Sequence, residues 1–521
     1  LSRYLYQEDS RNPHQARDIA WRELPNLLHA VHAALDAGDP DAGSFADCVN
    51  KFLGYFGLKQ EAERLSQKAQ QAAPDAGSQA WVLAQSNRGE QLFAAGQVAE
   101  AAQVFQAILR QLGDTPTYER AVTLTLLARG LSVGGQTDIA VDRFREASVV
   151  LTQLDQTDEV KQLRAMSLGE LAGALMGIGK YLEARQAYEE VLPVFEGLQD
   201  LRSQGVTLGQ LGTLAMKEGN LAEAADRYRV ALALFQQLRE PASEAVIWHQ
   251  LGMVFQEARQ WDEAERHYRE AARIKEENGI ISGANGASTT WNQLATVSKN
   301  AGKPDAAEMW YWKAIEGFRA GEETINLSKA LSNLAALLLP QSGRLAEARP
   351  LAEEALAIKQ TLDPGAEVWT TYEILAQIAE QEALGVPPSG GAGGEPAKAG
   401  TPNPAREYRR LAREARRNFA GTRHQLRQLA PVILATVTAC AGQAEGLEAV
   451  KQFQLQMAQV SPEWQALSRA LDRILAGERD EASLCEGLQF NMAMIIETIL
   501  AGLRDPESLA DLLPAGSPEP E

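Results

Sequence analysis

The sequence predicts an all-α protein, a helix-turn-helix solenoid closed by a C-terminal helical cap, and three observations lead there. One template recurs along the chain: a small residue, a glycine seven later, an alanine five further and an aromatic four further. Its recurrences lie 39 to 44 residues apart, enough for two helices and their turns. Within each, apolar residues fall at the spacing of one helical face, as at Leu208, Leu211, Gly212 and Ala215.

From the N-terminus, residues 1–42 read as a helical lead-in, whose amphipathic stretch 15–37 is expected to break at Pro25. Residues 43–384 carry about nine repeats, the first of them weak, with Gly57, Ala62 and Ala69 in the template places. The small residue then recurs at Gly89, Ala128, Ala172, Gly212, Gly252, Ala295, Ala335 and Ala376. Each first helix should stop at a glycine in the left-handed conformation, and a second helix opens with an acid near its positive end. The small residue lets two helices cross closely, and the aromatic fills the space beside it. That column runs Phe105, Phe144, Tyr188, Tyr228, Tyr268 and Tyr311, then lapses to Ala352. Counting Gly89 as the first unit, the fifth has Arg259 in place of glycine, which costs ~1 kcal/mol if the turn is kept.

Residues 385–404 hold eleven Gly or Pro among twenty and read as a flexible insertion. It interrupts the last repeat, whose second helix resumes near Tyr408. Residues 405–504 then form the C-terminal helical cap, covering the last apolar face, with breaks near Gly442, Ser461-Pro462 and Gly477. Pro, Ser and Glu dominate residues 505–521, and a disordered tail is expected there.

Composition excludes several function classes. With 50 Lys+Arg against 69 Asp+Glu, the formal charge is −19, a field that repels nucleic acid and anionic membrane alike. Cys48, Cys440 and Cys485 form no paired motif, no apolar run spans a bilayer, and no leader opens the chain, so a cytoplasmic location is expected. The first residue is Leu1 rather than Met, the mark of a processed product or a piece of something longer.

The repeat closely resembles the tetratricopeptide family. Trp248-x2-Leu251-Gly252 and Trp291-x2-Leu294-Ala295 match that family's opening signature, and Ala224, Tyr228 and Ala231 its second helix. The long period is similar to that of kinesin light chains and of bacterial regulatory proteins. Glu23-Leu24-Pro25-Asn26-Leu27-Leu28-His29-Ala30 ahead of an atypical first repeat also resembles the arrays that follow the NTPase of STAND proteins. That likeness implies a ligand-sensing or partner-recognition region, with an NTPase domain upstream in the parent chain.

In the family, first-helix side chains line a concave groove. The resemblance places Arg129, Met176, Thr213, Met216, His249, Met253, Gln256, Asn292, Thr296 and Lys299 there, facing a protein or peptide ligand. Units three and four offer small and Met-rich surface suited to an adaptable contact; units five and six offer His249, Gln256, Asn292 and Lys299 as hydrogen-bonding groups. Asn292 also falls where kinesin-light-chain-like repeats carry a groove asparagine.

Nothing in the sequence calls for a catalytic group, a cofactor or a metal. Gly177-Ile178-Gly179-Lys180 is followed by Tyr181 instead of Ser/Thr and falls in a repeat turn, so it reads as a helix stop. His29 and His32 share a helical face, but nothing in register completes a metal site. The basic segment with Arg409, Arg410, Arg413, Arg416 and Arg417 offers a secondary anion or partner contact, against the plainer reading of a solvated face paired to acidic surface. Rival functions are an oligomerisation scaffold, or an effector whose activity lies in residues 405–504.

Overall fold

The computed structural model describes residues 1–9, 12–39, 41–72, 78–341, 343–362, 367–385, 404–417, 426–457, 462–485, 488 and 490–512. They form helices joined by turns, with no strand among them. Two compact units are present, Leu1–Lys303 and Pro304–Glu521. The division falls in the turn of the sixth repeat, where sequence periodicity alone runs on without a break.

The first unit opens with α1 (Ser2–Glu8), α2 (Pro13–Asp36), α3 (Ala42–Tyr55) and α4 (Lys59–Ala72). Five helix pairs follow, beginning with α5 (Gln79–Ala94) and α6 (Val98–Leu112), then α7 (Tyr118–Val133) and α8 (Thr137–Thr152). Next come α9 (Asp158–Gly177) with α10 (Tyr181–Gly197), α11 (Leu201–Lys217) with α12 (Leu221–Leu238), and α13 (Pro241–Glu257) with α14 (Trp261–Glu277). The unit ends in α15 (Ala287–Asn300).

The template explains the pairs atom by atom. Gly96, Gly135, Gly179 and Gly219 close the first helices at φ between 77° and 79°, and Arg259 takes the same turn at φ 55°. The next amide reaches back five residues, as from Gln97 N–H to the Leu92 carbonyl at 2.8 Å, which satisfies a carbonyl the helix end leaves open. Ser78, Thr117, Thr157, Asp200 and Asn220 cap helix starts with side-chain oxygens. Tyr228 and Tyr268 are fully buried, and a methyl at Gly212 or Gly252 would sit 2.9 or 2.7 Å from their rings. Glycine is therefore what allows the crossing.

The expected break at Pro25 does not occur: α2 runs through it. Pro25 is exposed, and the loss of one amide donor is outweighed by Leu24, Leu27 and Val31, which anchor both sides of it in one core with Phe52 and Leu53 of α3. The lead-in also reaches the fourth and fifth pairs. Asp9, 2% exposed, accepts from Arg17 at 2.8 Å and pairs with Lys51 at 3.3 Å; Arg17 also lies 4.0 Å from Glu240, which pairs with Arg202 at 3.0 Å.

The second unit contains α16 (Pro304–Ala320), α17 (Thr324–Leu338) with α18 (Leu345–Thr361), and α19 (Val368–Gly385) with α20 (Pro404–Arg417). Beyond them lie α21 (Ala430–Cys440), α22 (Ala444–Met457), α23 (Pro462–Leu475), α24 (Glu481–Leu484) and α25 (Phe490–Arg504). Helix α20 packs along α19, the place a second repeat helix takes. Residues 386–403 of the Gly/Pro-rich insertion and 513–521 of the tail lie outside the described residues. The tail expectation fails for its first turns: Pro506–Leu512 form a 3-10 helix because Leu509 is buried against Gly502 in the cap core.

Candidate functional site

In the first unit, first helices of successive pairs touch one another: α5 with α7, α7 with α9, α9 with α11, and α11 with α13. The second helices make no comparable contact with each other among the described residues. The first helices are thus the more crowded, inner layer. They carry every residue assigned above to the groove: Arg129 on α7, Met176 on α9, Thr213 and Met216 on α11, His249, Met253 and Gln256 on α13, and Asn292, Thr296 and Lys299 on α15.

Several of these side chains are engaged in holding the fold. The Thr213 hydroxyl bonds the Gly209 carbonyl at 3.0 Å and meets the Tyr228 hydroxyl at 2.9 Å. Gln256 accepts from the Tyr268 hydroxyl at 3.0 Å, and Thr296 donates to the Asn292 carbonyl at 3.0 Å. Met176 and Met216 lie half-buried against core clusters. Arg129 sits between Glu90 at 3.6 Å and Glu170 at 3.5 Å. Desolvation raises the Glu90 carboxyl above its usual range; Arg129 pulls it down and Asp47 pushes it further up.

The remaining candidates lie at the far end of this layer. Lys299 is exposed and makes no ion pair among the described residues. The Asn292 side-chain oxygen is buried with no hydrogen-bond partner, a position that invites one. Met253, on α13, is half-buried. The imidazole of His249 stands edge-on to Tyr268 at 5.0 Å, its Nδ1 3.1 Å from the Thr290 hydroxyl. Burial, reinforced by nearby Lys275, lowers its pKa to about 3, so it is neutral at any ordinary pH.

Sequence reading missed Lys275. It lies on α14, a second helix, 2% exposed, and donates to Thr290 at 2.7 Å and to the Gly286 carbonyl at 3.4 Å. Burial lowers its ammonium to about 8. A signal was present: seven residues beyond the column aromatics stand Leu112, Leu151, Phe195, Phe235 and Phe318, and Lys275 departs from that apolar column, as Lys359 does seven residues past Ala352. A lysine at an apolar place in a repeat marks a buried cation that must find acceptors.

The arginine-rich helix is largely paired within its own unit. Arg409 meets Glu380 at 2.8 Å, and Arg410 meets Glu407 at 2.7 Å and Glu414 at 3.1 Å. Arg413 forms an ion pair with Glu497 on α25 and lies 3.7 Å from Glu481. Desolvation raises the Glu373 carboxyl above its usual range, against the pull of Arg416 and Arg409, and Arg417 closes the helix. His29 is exposed and His32 half-buried, and no metal-holding group of His, Cys, Asp and Glu exists among the described residues. Gly179 takes its left-handed turn between α9 and α10, as a helix stop does. No helix is long and apolar enough to cross a membrane among the described residues. A cleft of about 320 Å³ opens between α9 and α10, but its charged lining pairs internally, Arg164 with Glu190 at 3.1 Å and Lys161 with Asp158 at 3.7 Å.

A tetratricopeptide repeat model matches residues 163–237, 203–277 and 286–361. Among solved structures, a signal transduction ATPase with numerous domains (STAND) that has a tetratricopeptide repeat sensor, from Pyrococcus horikoshii, is 15% identical. The match covers 66% of this chain and half of that one, with a TM-score of 0.50. BtubC from P. vanneervenii is 22% identical over 46% of this chain and 89% of its own, at a TM-score of 0.38. A Rap protein complexed with competence and sporulation factor is 15% identical over 70% of this chain and 99% of its own, at 0.42. These are likenesses of fold. No curated protein sequence matches the chain.

Proposed function

We propose that this chain, a tetratricopeptide-repeat protein-binding scaffold over residues 163–277 and 286–361, recognises an extended peptide segment of a partner on the inner layer of its first unit. The observation that carries the reading is the run of groups with an open atom on successive first helices, His249 through its Nε2. His249 and Met253 on α13 are followed by Asn292 and Lys299 on α15, while the polar groups around them hold the fold. Amide and imidazole groups fix a main chain, and the flexible methionines fit its side chains. Lys299 favours an acidic neighbour on the ligand.

Within a larger signalling protein this face would serve as the sensing or partner-recognition surface, with an NTPase domain upstream. The support is the Glu23–Ala30 segment, which α2 places in the lead-in core through Leu24 and Leu27. A Walker motif in the parent reading frame tests that context.

The binding test starts with the chain as bait in a pull-down, followed by titration of the captured partner's binding peptide. Asn292→Ala should weaken binding by ~1–2 kcal/mol without lowering the melting temperature. Lys299→Glu should weaken an acidic ligand further, less so as salt rises. Wild-type affinity in both variants, together with loss on changing Arg409 and Arg413, would move the site to the arginine-rich helix.

A further inference from the structure

Two buried groups, Lys275 and Thr290, and the half-buried His249, on three helices, form one hydrogen-bond chain, and its proton positions follow from valence. The Lys275 ammonium has no lone pair, so the Thr290 oxygen 2.7 Å away is its acceptor. Thr290 is fully buried and keeps one hydrogen to place. The other partner of its hydroxyl among the described residues is His249 Nδ1, at 3.1 Å. Were Nδ1 protonated, the threonine hydrogen would be buried with no acceptor, a costly arrangement. The hydrogen therefore goes to Nδ1, and the neutral ring carries its own proton on Nε2. That atom has no protein partner among the described residues and is not among the buried unpaired ones, and the residue as a whole is half-buried.

We propose that Lys275 and Thr290 act as positioning residues that hold His249 as a fixed, uncharged Nε2–H donor, and that this site takes an acceptor oxygen from a peptide main chain. The inference rests on the peptide-binding reading above and deepens it, since it names the atom that reads the ligand and the atom type it reads. A neutral donor suits a carbonyl, which carries no charge of its own; the same donor fits a terminal carboxylate, so the two sources have to be separated.

Two experiments on the full chain test it. In long-range ¹H–¹⁵N spectra of histidine-labelled protein, the His249 signals are assigned by their loss in His249→Gln. They should show an unprotonated Nδ1 and a protonated Nε2, unchanged from pH 7 to pH 5, where Lys275 is an ammonium. Thr290→Val should give a mixture of tautomers, and Thr290→Ser should restore the wild-type pattern. A protonated Nδ1, or a ring that titrates near the ordinary value of about 6.5, overturns the proposal. The second probe is a library of 15-residue peptides, each made with a free and an amidated C-terminus. Peptides retained by wild type should lose about tenfold in affinity to His249→Phe and several-fold to Thr290→Val, with rescue by Thr290→Ser. Equal affinity of the amidated forms assigns an internal carbonyl; loss on amidation assigns the terminal carboxylate. Peptides that bind His249→Phe as tightly as wild type overturn the donor role and leave the inner-layer reading standing. A wild type that retains no peptide removes both.

Discussion

Lys275 in the first unit and Lys359 in the second occupy the same repeat position, seven residues past Tyr268 and Ala352 respectively. Each is almost fully buried, and burial lowers each ammonium to about 8. Lys359 donates to the Glu367 carbonyl at 3.1 Å and to the hydroxyls of Thr370 at 3.2 Å and Thr371 at 2.9 Å, three acceptors for three hydrogens. Thr371 meets Ser332 at 3.1 Å, and Ser332 donates to the Ser328 carbonyl at 2.9 Å, so that chain ends inside its own helix. The chain from Lys275 ends instead on His249, which stands three residues before its small residue just as Ser332 does before Ala335. One side chain decides whether the same buried cation closes on the scaffold or presents a polar hydrogen outward.

The largest expected break of this comparison is in packing. Tyr268→Ala removes the buried ring that covers Gly252 and should cost about 3 kcal/mol or more in denaturant unfolding. The Lys359 pair, with Ala352 in that column, has no ring to lose. A cost under about 1 kcal/mol would mean that the aromatic column is not what holds the pairs together.

Next come the lysines themselves. Unfolded lysine titrates near 10.5 and these two near 8 when folded, so between those values the unfolded chain binds more protons and stability rises with pH. Around Lys275 the facing groups are His249 and Thr290; around Lys359, Glu367 holds the ammonium up and Lys329 pushes it down. Lys275→Met and Lys359→Met should each remove about 1–3 kcal/mol of the rise between pH 8 and pH 10, measured as wild type minus variant. That difference cancels the Cys485 thiol, which burial pushes up to about 12 and which acts with the opposite sign. A wild type and variants with parallel pH profiles would show that these ammoniums are not desolvated in solution.

The smallest effect belongs to the exposed cations. Arg409→Ala breaks a half-exposed pair with Glu380 and should change stability by less than about 1 kcal/mol, vanishing at high salt. A larger loss would place that helix among the supports of its unit.

The repeat was legible because each template residue answers a local geometric demand. The turn glycines sit at positive φ, Arg259 accepts that conformation in glycine's place, and Tyr228 and Tyr268 lie on the glycines that make room for them. The site was legible only as a list of first-helix positions. Thr213 and Thr296 bond carbonyls four residues back, and Gln256 takes up a tyrosine hydroxyl, contacts that depend on rotamers and neighbouring helices. The chain behind His249 crosses from one pair to the next, and no single template contains both Lys275 and Thr290. Pro25 and Leu509 were misread for the same reason: burial elsewhere on the helix or turn overrode a local breaker.

Hydrogen exchange of the full chain, with and without the captured partner peptide, asks most directly whether the inner layer is where ligands bind. Added protection should concentrate in α11, α13 and α15, between Thr213 and Lys299, and should fade in His249→Phe. Protection confined to α20, with those three helices exchanging as in the free protein, would contradict it.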